Sequence, residues 1–458
     1  MMSKQHGSVD MTEGNILRHI ILFAVPLLIG NLFQQLYNTV DAWVVGNYVS
    51  NEAFSAVGTV GPIVNLLIGI FMGFSAGASV VISQYFGAKE YSRVNETVHT
   101  SLIVTVIAGV LFTAIGILMT PTMLRFTQTP ADVYPESKAY LTIYFCGLMG
   151  LLLYNMGSAI LRAIGDSVRP FYFLLACSMT NIVLDLVFVL VFKMGVSGVA
   201  WATIISEAVS ALLVILVLLK TDSCVKLSPK NLKISPDILK QTLRVGIPTA
   251  LQMGITSFSN VFVQGYVNQF GSNFMSGWTA YNKIDTFMFL PMQSISLATT
   301  TFVGQNLGKG DTKRARKGTV TALACAVIST MLLSAIVLIF RSPFVAFFND
   351  KPEVVRYGSY LILTITPFCF CCCVNQVLSG ALRGSGNSRA PMLIMLTSFV
   401  AVRQIYLFIF TRVFPESSMT VVSYSYPVGW VVCSILIVLY YLRNKPGTDT
   451  VVFHIKTD

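Results

Sequence analysis

Gln84-Tyr85-Phe86-Gly87-Ala88-Lys89-Glu90, followed by Arg93, returns roughly 221 residues later as Gln305-Asn306-Leu307-Gly308-Lys309-Gly310-Asp311, followed by Arg314. The same offset carries Leu161-Arg162-Ala163-Ile164-Gly165-Asp166-Ser167 with Pro170 onto Leu382-Arg383-Gly384-Ser385-Gly386-Asn387-Ser388 with Pro391. Upstream, Ile16-Leu17-Arg18 leading to Pro26 matches Ile238-Leu239-Lys240 leading to Pro248. The chain is therefore read as one unit written twice. A duplicated membrane unit has an interface between its copies, and that is where such chains place what they move across the bilayer.

That the unit is a membrane unit follows from composition. The chain is 54% hydrophobic and 11% charged, against about 25% charged in soluble domains. Twelve apolar runs approach or exceed the ~20 residues that cross the hydrocarbon core. They lie near 16–40, 53–84, 97–119, 138–161, 170–192 and 197–219, then 238–268, 275–303, 318–340, 356–382, 390–411 and 420–442. Short alternating segments of a β-barrel are missing from the pattern. The expected fold is an all-α integral membrane protein with twelve transmembrane helices in two six-helix lobes. Because six is even, both lobes run in the same sense, and a pseudo-twofold axis along the membrane normal and a central cleft are expected. The boundaries read as 1–219 for the N-terminal lobe, 220–237 for a cytoplasmic linker broken by Pro229 and Pro236, and 238–458 for the C-terminal lobe with a short tail.

The net charge of +11 reports orientation. Placing both termini and the even-numbered connections on one side gathers 22 of the 31 Lys and Arg there, against 7 in the odd-numbered connections. Both termini are thus expected in the cytoplasm. The basic excess is spread over loops and does not form the face that nucleic acid needs, so no nucleic-acid partner is expected. The first run contains Pro26 and lacks a small-residue cleavage site, so it reads as a span and not as a cleavable signal. Eight of the nine cysteines fall within apolar runs and Cys224 falls on the cytoplasmic side, so no disulfide framework is expected.

Several apparent catalytic motifs lack their partners. Gly73-Phe74-Ser75-Ala76-Gly77 has the serine-elbow spacing. Its base would have to come from His6, His19, His99 or His454, all near cytoplasmic ends or tails. Gly69, Gly73 and Gly77 instead repeat at the four-residue interval of close helix packing. Cys369, Cys371, Cys372 and Cys373 crowd one apolar helix and read as small apolar residues, not metal ligands. The loop 304–310 is one residue short of a phosphate loop and has no Ser or Thr after Lys309. The chain is read as a non-enzyme without cofactors, driven by an ion and not by nucleotide.

The duplicated Gln-x-x-Gly-x-x-Asp/Glu turn, the duplicated Leu-Arg-x-x-Gly-Asp/Asn-Ser-x-x-Pro loop and the proline in the first helix of each half resemble the multidrug and toxic compound extrusion (MATE) family. The likeness covers about residues 13–445. It implies a cation-coupled antiporter that exports organic, lipophilic cations by alternating access.

Charged side chains inside apolar runs locate the chemistry, because each costs several kcal/mol near the bilayer centre. Gln34, Tyr37, Asn38 and Asp41 share a face of the first run, and Asn181 and Asp185 a face of the fifth. Asn155 lies in the fourth run, and Thr203 and Glu207 in the sixth. At the repeat offset Asp41 meets about Val263 and Asp185 about Tyr406, so the scaffold was duplicated and the acids were not. Two carboxyls in one apolar pocket repel, and at least one is expected to hold a proton near neutrality. With Asn oxygens beside them they are equally suited to Na+, so the coupling ion stays open between H+ and Na+.

The resemblance sharpens this. In the DinF-like branch functional acids occupy the first and fifth spans, which implies Asp41 and Asp185 here, accompanied by Tyr37, Asn181 and Thr203. Another branch keeps acids in the seventh and tenth spans. This chain has no acid in 245–268 and has Asn375 and Gln376 in the tenth. Asp41, Asp185, Asn181, Tyr37, Thr203 and Asn155 are thus the expected ion or proton site. Gln34, Tyr37, Asn38, Glu207 and Lys283 are expected to line the substrate cleft. Lys283 and Asp285 read as helix-pairing charges, with a cavity role for Lys283 as the competing reading; Arg403 reads as neutralising a partner or snorkelling toward an interface. The expected setting is a multi-pass monomer in the lipid bilayer of a bacterial or archaeal inner membrane, with a small organic molecule as partner. A flippase for lipid-linked precursors is the alternative that shares the architecture.

Overall fold

The computed structural model describes residues 9–49, 51–127, 129–414 and 418–444. They form twelve long helical segments and, among the described residues, no β-strand. The first six are α1 Ile16–Tyr48, α2 Asn51–Gly87, α3 Tyr91–Phe126, α4 Tyr134–Ala163, α5 Val168–Val191 and α6 Gly195–Lys220. The second six are α7 Pro236–Val267, α8 Gly271–Gly308, α9 Thr312–Ile339, α10 Pro352–Gly384, α11 Arg389–Val413 and α12 Ser418–Arg443. A short helix, Arg341–Phe348, sits between α9 and α10.

Among the described residues, ten helices have a stretch long and apolar enough to cross a membrane, so the chain is a multi-pass membrane protein. The other two, α7 and α8, are 32 and 38 residues long. Gln252, Ser257, Ser259 and Asn260 interrupt the apolar run of the one, and Asn282, Lys283 and Asp285 that of the other. Side chains such as Leu118, Val110 and Leu332 are well exposed, as lipid contact requires and water would penalise.

The sequence repeat is a repeat of hydrogen bonds. At the end of α2, Ala88 N donates to Gln84 O, Lys89 N to Phe86 O and Glu90 N to Tyr85 O. At the end of α8, Lys309 N donates to Gln305 O, Gly310 N to Leu307 O and Asp311 N to Asn306 O. Both turns close through a left-handed residue, Lys89 at φ 63° and Gly310 at φ 83°. Only the second copy uses the residue type that adopts this conformation without steric cost. The Leu-Arg loops match as well: Asp166 N and Asn387 N reach back to Leu161 O and Leu382 O, with Gly165 at φ 87° and Gly386 at φ 85°. Asp166 and Asn387 then each cap the following helix through Oδ1, the first on Val168 N and Arg169 N, the second on Ala390 N.

Two compact units result, and their borders differ from the expected 1–219, 220–237 and 238–458. The first comprises Met1–Asp10 and Val25–Gly246, the second Met11–Ala24 and Ile247–Asp458. Hydrogen bonds explain the reassignment of 11–24. Gln305 Oε1 accepts from Met11 N, Asn306 Nδ2 donates to Met11 O, and the Arg314 guanidinium donates to Met11 O and Glu13 O. Lys309 Nζ adds bonds to Thr12 Oγ1 and Glu13 Oε1.

Close packing explains the other reassignment, which attaches the linker and the start of α7 to the first unit. A Cβ on Gly77 would fall 2.4 Å from Thr242 O and 2.9 Å from Gly246 N, so glycine is what lets α2 and α7 touch. Tyr85 Oη donates to Gln241 Oε1 at 2.9 Å. Asn95 Nδ2 donates to Lys226 O, and His99 Nε2 accepts from Ser228 N. Each unit's α2-type turn thus grips the segment that leads into the other half's first helix. Those helices pass between units at Ala24/Val25 and Gly246/Ile247, one to two residues before the internal prolines Pro26 and Pro248.

Candidate functional site

The buried polar groups of the first unit converge where α1, α4, α5 and α6 meet. Asp41 enters from the second half of α1, and Asp185 from α5, where it is fully buried. Their carboxyls face one another. Neither oxygen of Asp185, nor the enclosed Oδ1 of Asp41, has a hydrogen-bond donor within reach. One turn before Asp185, Asn181 is fully buried, and both its Oδ1 and its Nδ2 are without partners. An enclosed polar atom left without a partner costs about 1–3 kcal/mol, more when charged. Five such atoms, from Asp41, Asp185 and Asn181, lie together at this point of the unit.

The helix geometry at Asp185 is unusual. Directly after Leu186, α5 opens into a π-helical turn, Val187–Val191. Such turns interrupt the regular ladder and concentrate at functional positions. The surroundings are apolar: Val44, Val45, Val189, Val196 and Val199 belong to one buried cluster that also contains Tyr140 and Tyr144.

Around the two acids stand Tyr37, Tyr140, Tyr144 and Glu207, all buried. Tyr37 lies beside Gln34 and within electrostatic range of Glu207 and Asp41. Tyr140 is within range of Asp41, Asp185 and Glu207, and it stacks on Tyr144 with ring centroids 6.4 Å apart. Cys177 joins the group next to Ser206 and Ser210.

Of the residues expected from sequence, Asp41, Asp185, Asn181, Tyr37, Gln34 and Glu207 come together here. Thr203 is buried on α6, and its hydroxyl donates to Val199 O. Asn155 on α4 gives its amide to Leu151 O of its own helix. Asn38 is exposed at the flank of the Gln34–Tyr37–Asp41 face and bonds Gln35. Lys283 is exposed and belongs to the second unit. Tyr140 and Tyr144 went unread in the sequence, although their four-residue spacing puts both on one face of α4.

The apparent serine elbow packs as glycine spacing suggests. Gly77 lies on α7, and the two described histidines, His19 and His99, are bonded to Glu13 O and to Asn95 O and Ser228. His6 and His454 lie outside the described residues.

Comparison with known proteins places the chain among relatives along most of its length. The MatE family model matches residues 26–187 and again 248–409. The chain is 29% identical over 396 residues to the probable multidrug resistance protein YpnP of Bacillus subtilis, covering 86% of this chain and 88% of that protein. It is 27% identical over 414 residues to the probable multidrug resistance protein NorM of Thermotoga maritima, covering 87% and 86%. Among solved structures, a multidrug resistance MATE family transporter of the MOP superfamily in an outward-facing conformation superposes with TM-score 0.91 at 23% identity. That match covers 97% of this chain and 98% of the other, and it shows a shared fold.

Proposed function

The chain belongs to the MatE family of membrane transporters, and from that premise we propose that it is a cation-coupled efflux antiporter for small organic compounds, with H+ or Na+ taken up at Asp41 and Asp185. The observation that carries this reading is the facing pair of carboxyls with no donor on their enclosed oxygens. Two adjacent carboxyls in an apolar site are not both ionised without a cation between them. A shared proton satisfies the pair. Na+ satisfies it with help from Asn181 Oδ1, since hard cations take oxygen ligands. Similarity to proteins named for multidrug resistance supports drug-like cargo.

Coupling is differential affinity. Loading Asp41 and Asp185 from the outer side changes the charge on α1. Pro26 deprives that helix of one backbone hydrogen bond, which lets its second half shift. The shift weakens cargo binding, the cargo leaves outward, and the ion leaves inward. Both termini face the cytoplasm in this scheme, following the Lys and Arg distribution.

The test is uptake of a fluorescent organic cation into sealed proteoliposomes under a pH gradient or a Na+ gradient, each alone. Uptake driven by one gradient and lowered at least about tenfold in Asp41→Asn supports the proposal. Equal uptake by Asp41→Asn with unchanged ion dependence overturns it. Inertness toward both gradients with folded protein points to a lipid substrate or to a cargo range too narrow for the dye.

A further inference from the structure

The second unit also buries charge, of both signs, around one tyrosine. Arg403 on α11 is 3% exposed, and its Nη2 donates to Ser259 Oγ at 2.7 Å and Asn260 Oδ1 at 2.9 Å, both on α7. Its guanidinium carbon lies 4.9 Å from the centre of the Tyr426 ring on α12. Its Nε–H has no acceptor, and among the described residues no carboxylate lies within ion-pair distance. Asp285 on α8 is within electrostatic range of the same tyrosine. Among the described residues it too has no cation in ion-pair distance; its enclosed Oδ1 lies beside the Tyr281 hydroxyl, which balances no charge.

A structural salt bridge would place these two groups together, because each isolated charge inside the bilayer is costly. Here both act on Tyr426, and among the described residues no ion pair joins them. The remaining wall is aromatic: Trp278 lies 5.7 Å from Tyr426 and 5.8 Å from Tyr281, and Trp430 lies 5.9 Å from Tyr426, centroid to centroid. Trp278, Tyr281, Trp430 and Arg403 are buried, whereas Tyr426 and Asp285 are each partly exposed. Arg403 directly follows a π-helical turn, Thr397–Val402, as Asp185 closely precedes one in the first unit.

We infer that the second unit contains a binding site for a dipolar aromatic molecule, with Asp285 receiving its cationic group, Arg403 its anionic group and the Tyr426 ring its flat body. A zwitterion supplies both missing counter-charges at once and keeps the net charge of the site unchanged. The aromatic wall favours a planar frame and adds attraction for the cationic end. This assignment rests on the transporter reading for its purpose, as the cargo site distinct from the ion site, but not for its measurement.

The experiment uses the full chain in lipid nanodiscs, with empty nanodiscs as the blank. Fluorescence anisotropy compares rhodamine B, a zwitterion, with its ethyl ester, a cation of the same frame. Wild-type protein is expected to bind rhodamine B more tightly. Arg403→Gln should weaken rhodamine B by about tenfold and leave the ester unchanged, whereas Asp285→Asn should weaken both. No preference in the wild type, or unchanged binding in both variants, overturns the assignment. So does equal weakening of both dyes by Arg403→Gln. Should Arg403→Gln fail to fold, the wild-type preference and Asp285→Asn still decide. Asp41→Asn separates the two readings: dye binding persists while gradient-driven uptake disappears. Retained uptake in Asp41→Asn would sink the antiporter scheme and leave the dipolar site standing.

Discussion

Asp166 and Asn387 occupy equivalent places in the two copies and make the same bond, an Oδ1 accepting from the start of the next helix. The amide copy shows that a charge is not needed for the cap. Burial pushes the Asp166 carboxyl above its ordinary range, offset in part by backbone N–H donors and by Arg169 at 3.3 Å. A folded-state value raised above the unfolded one means that ionisation opposes folding, so the aspartate is least costly at acid pH. Asp166→Asn is therefore expected to gain in thermal midpoint relative to wild type as pH rises from the carboxylate range to neutrality. A constant difference across that range would show that the charge does not matter. Asp166→Ala removes the cap and should cost about 1 kcal/mol at acid pH, the cost shrinking toward neutrality as the wild-type carboxyl ionises, read from the same melts. Asn181 offers a test of the opposite kind. Its partnerless amide makes Asn181→Leu tolerable or even favourable for stability, while gradient-driven uptake should fall. Unchanged uptake in that variant would remove Asn181 from the ion site.

At the scale of the element, glycine spacing on α2 decides whether α7 can approach. Gly77→Val would place side-chain atoms into the backbone of Thr242 and Gly246, and an expected loss of about 3 kcal/mol or more should appear as poor membrane accumulation or a lowered midpoint. Ser75→Ala, two residues earlier, should leave both accumulation and transport intact. Loss of transport in that variant at normal accumulation would show that Ser75 does more than pack. The glycine ladder was legible in the sequence because only spacing was needed to see it. Asp41 and Asp185 were legible because an acid in an apolar run stands out. Tyr140, Tyr144 and Tyr426 were not, since aromatics in membrane helices are common and their roles depend on which helices meet. The division of α1 and α7 between units was also hidden. Its decisive bonds run to Met11 O and Glu13 O, and a carbonyl carries no residue signature.

For the molecule as a whole, the exchange of helix starts makes each half of the sequence incomplete. Residues 247–458 need 11–24 to satisfy Gln305, Asn306 and Arg314, and residues 25–219 lose the start of α7 that covers Gly77. Expressed alone, a fragment 1–224 or 225–458 is expected to be degraded; expressed together, the two should accumulate as a pair. Stable accumulation of either fragment by itself would refute this. Production in the cell adds a schedule. Met11 is made at the outset, and Arg314 follows about 300 residues later, which at about 5–20 residues per second leaves the beginning of α1 waiting roughly 15–60 s. During that interval the N-terminal strap has no docking surface. A ribosome stalled before residue 305 should carry a strap open to protease, and one released after residue 320 should not.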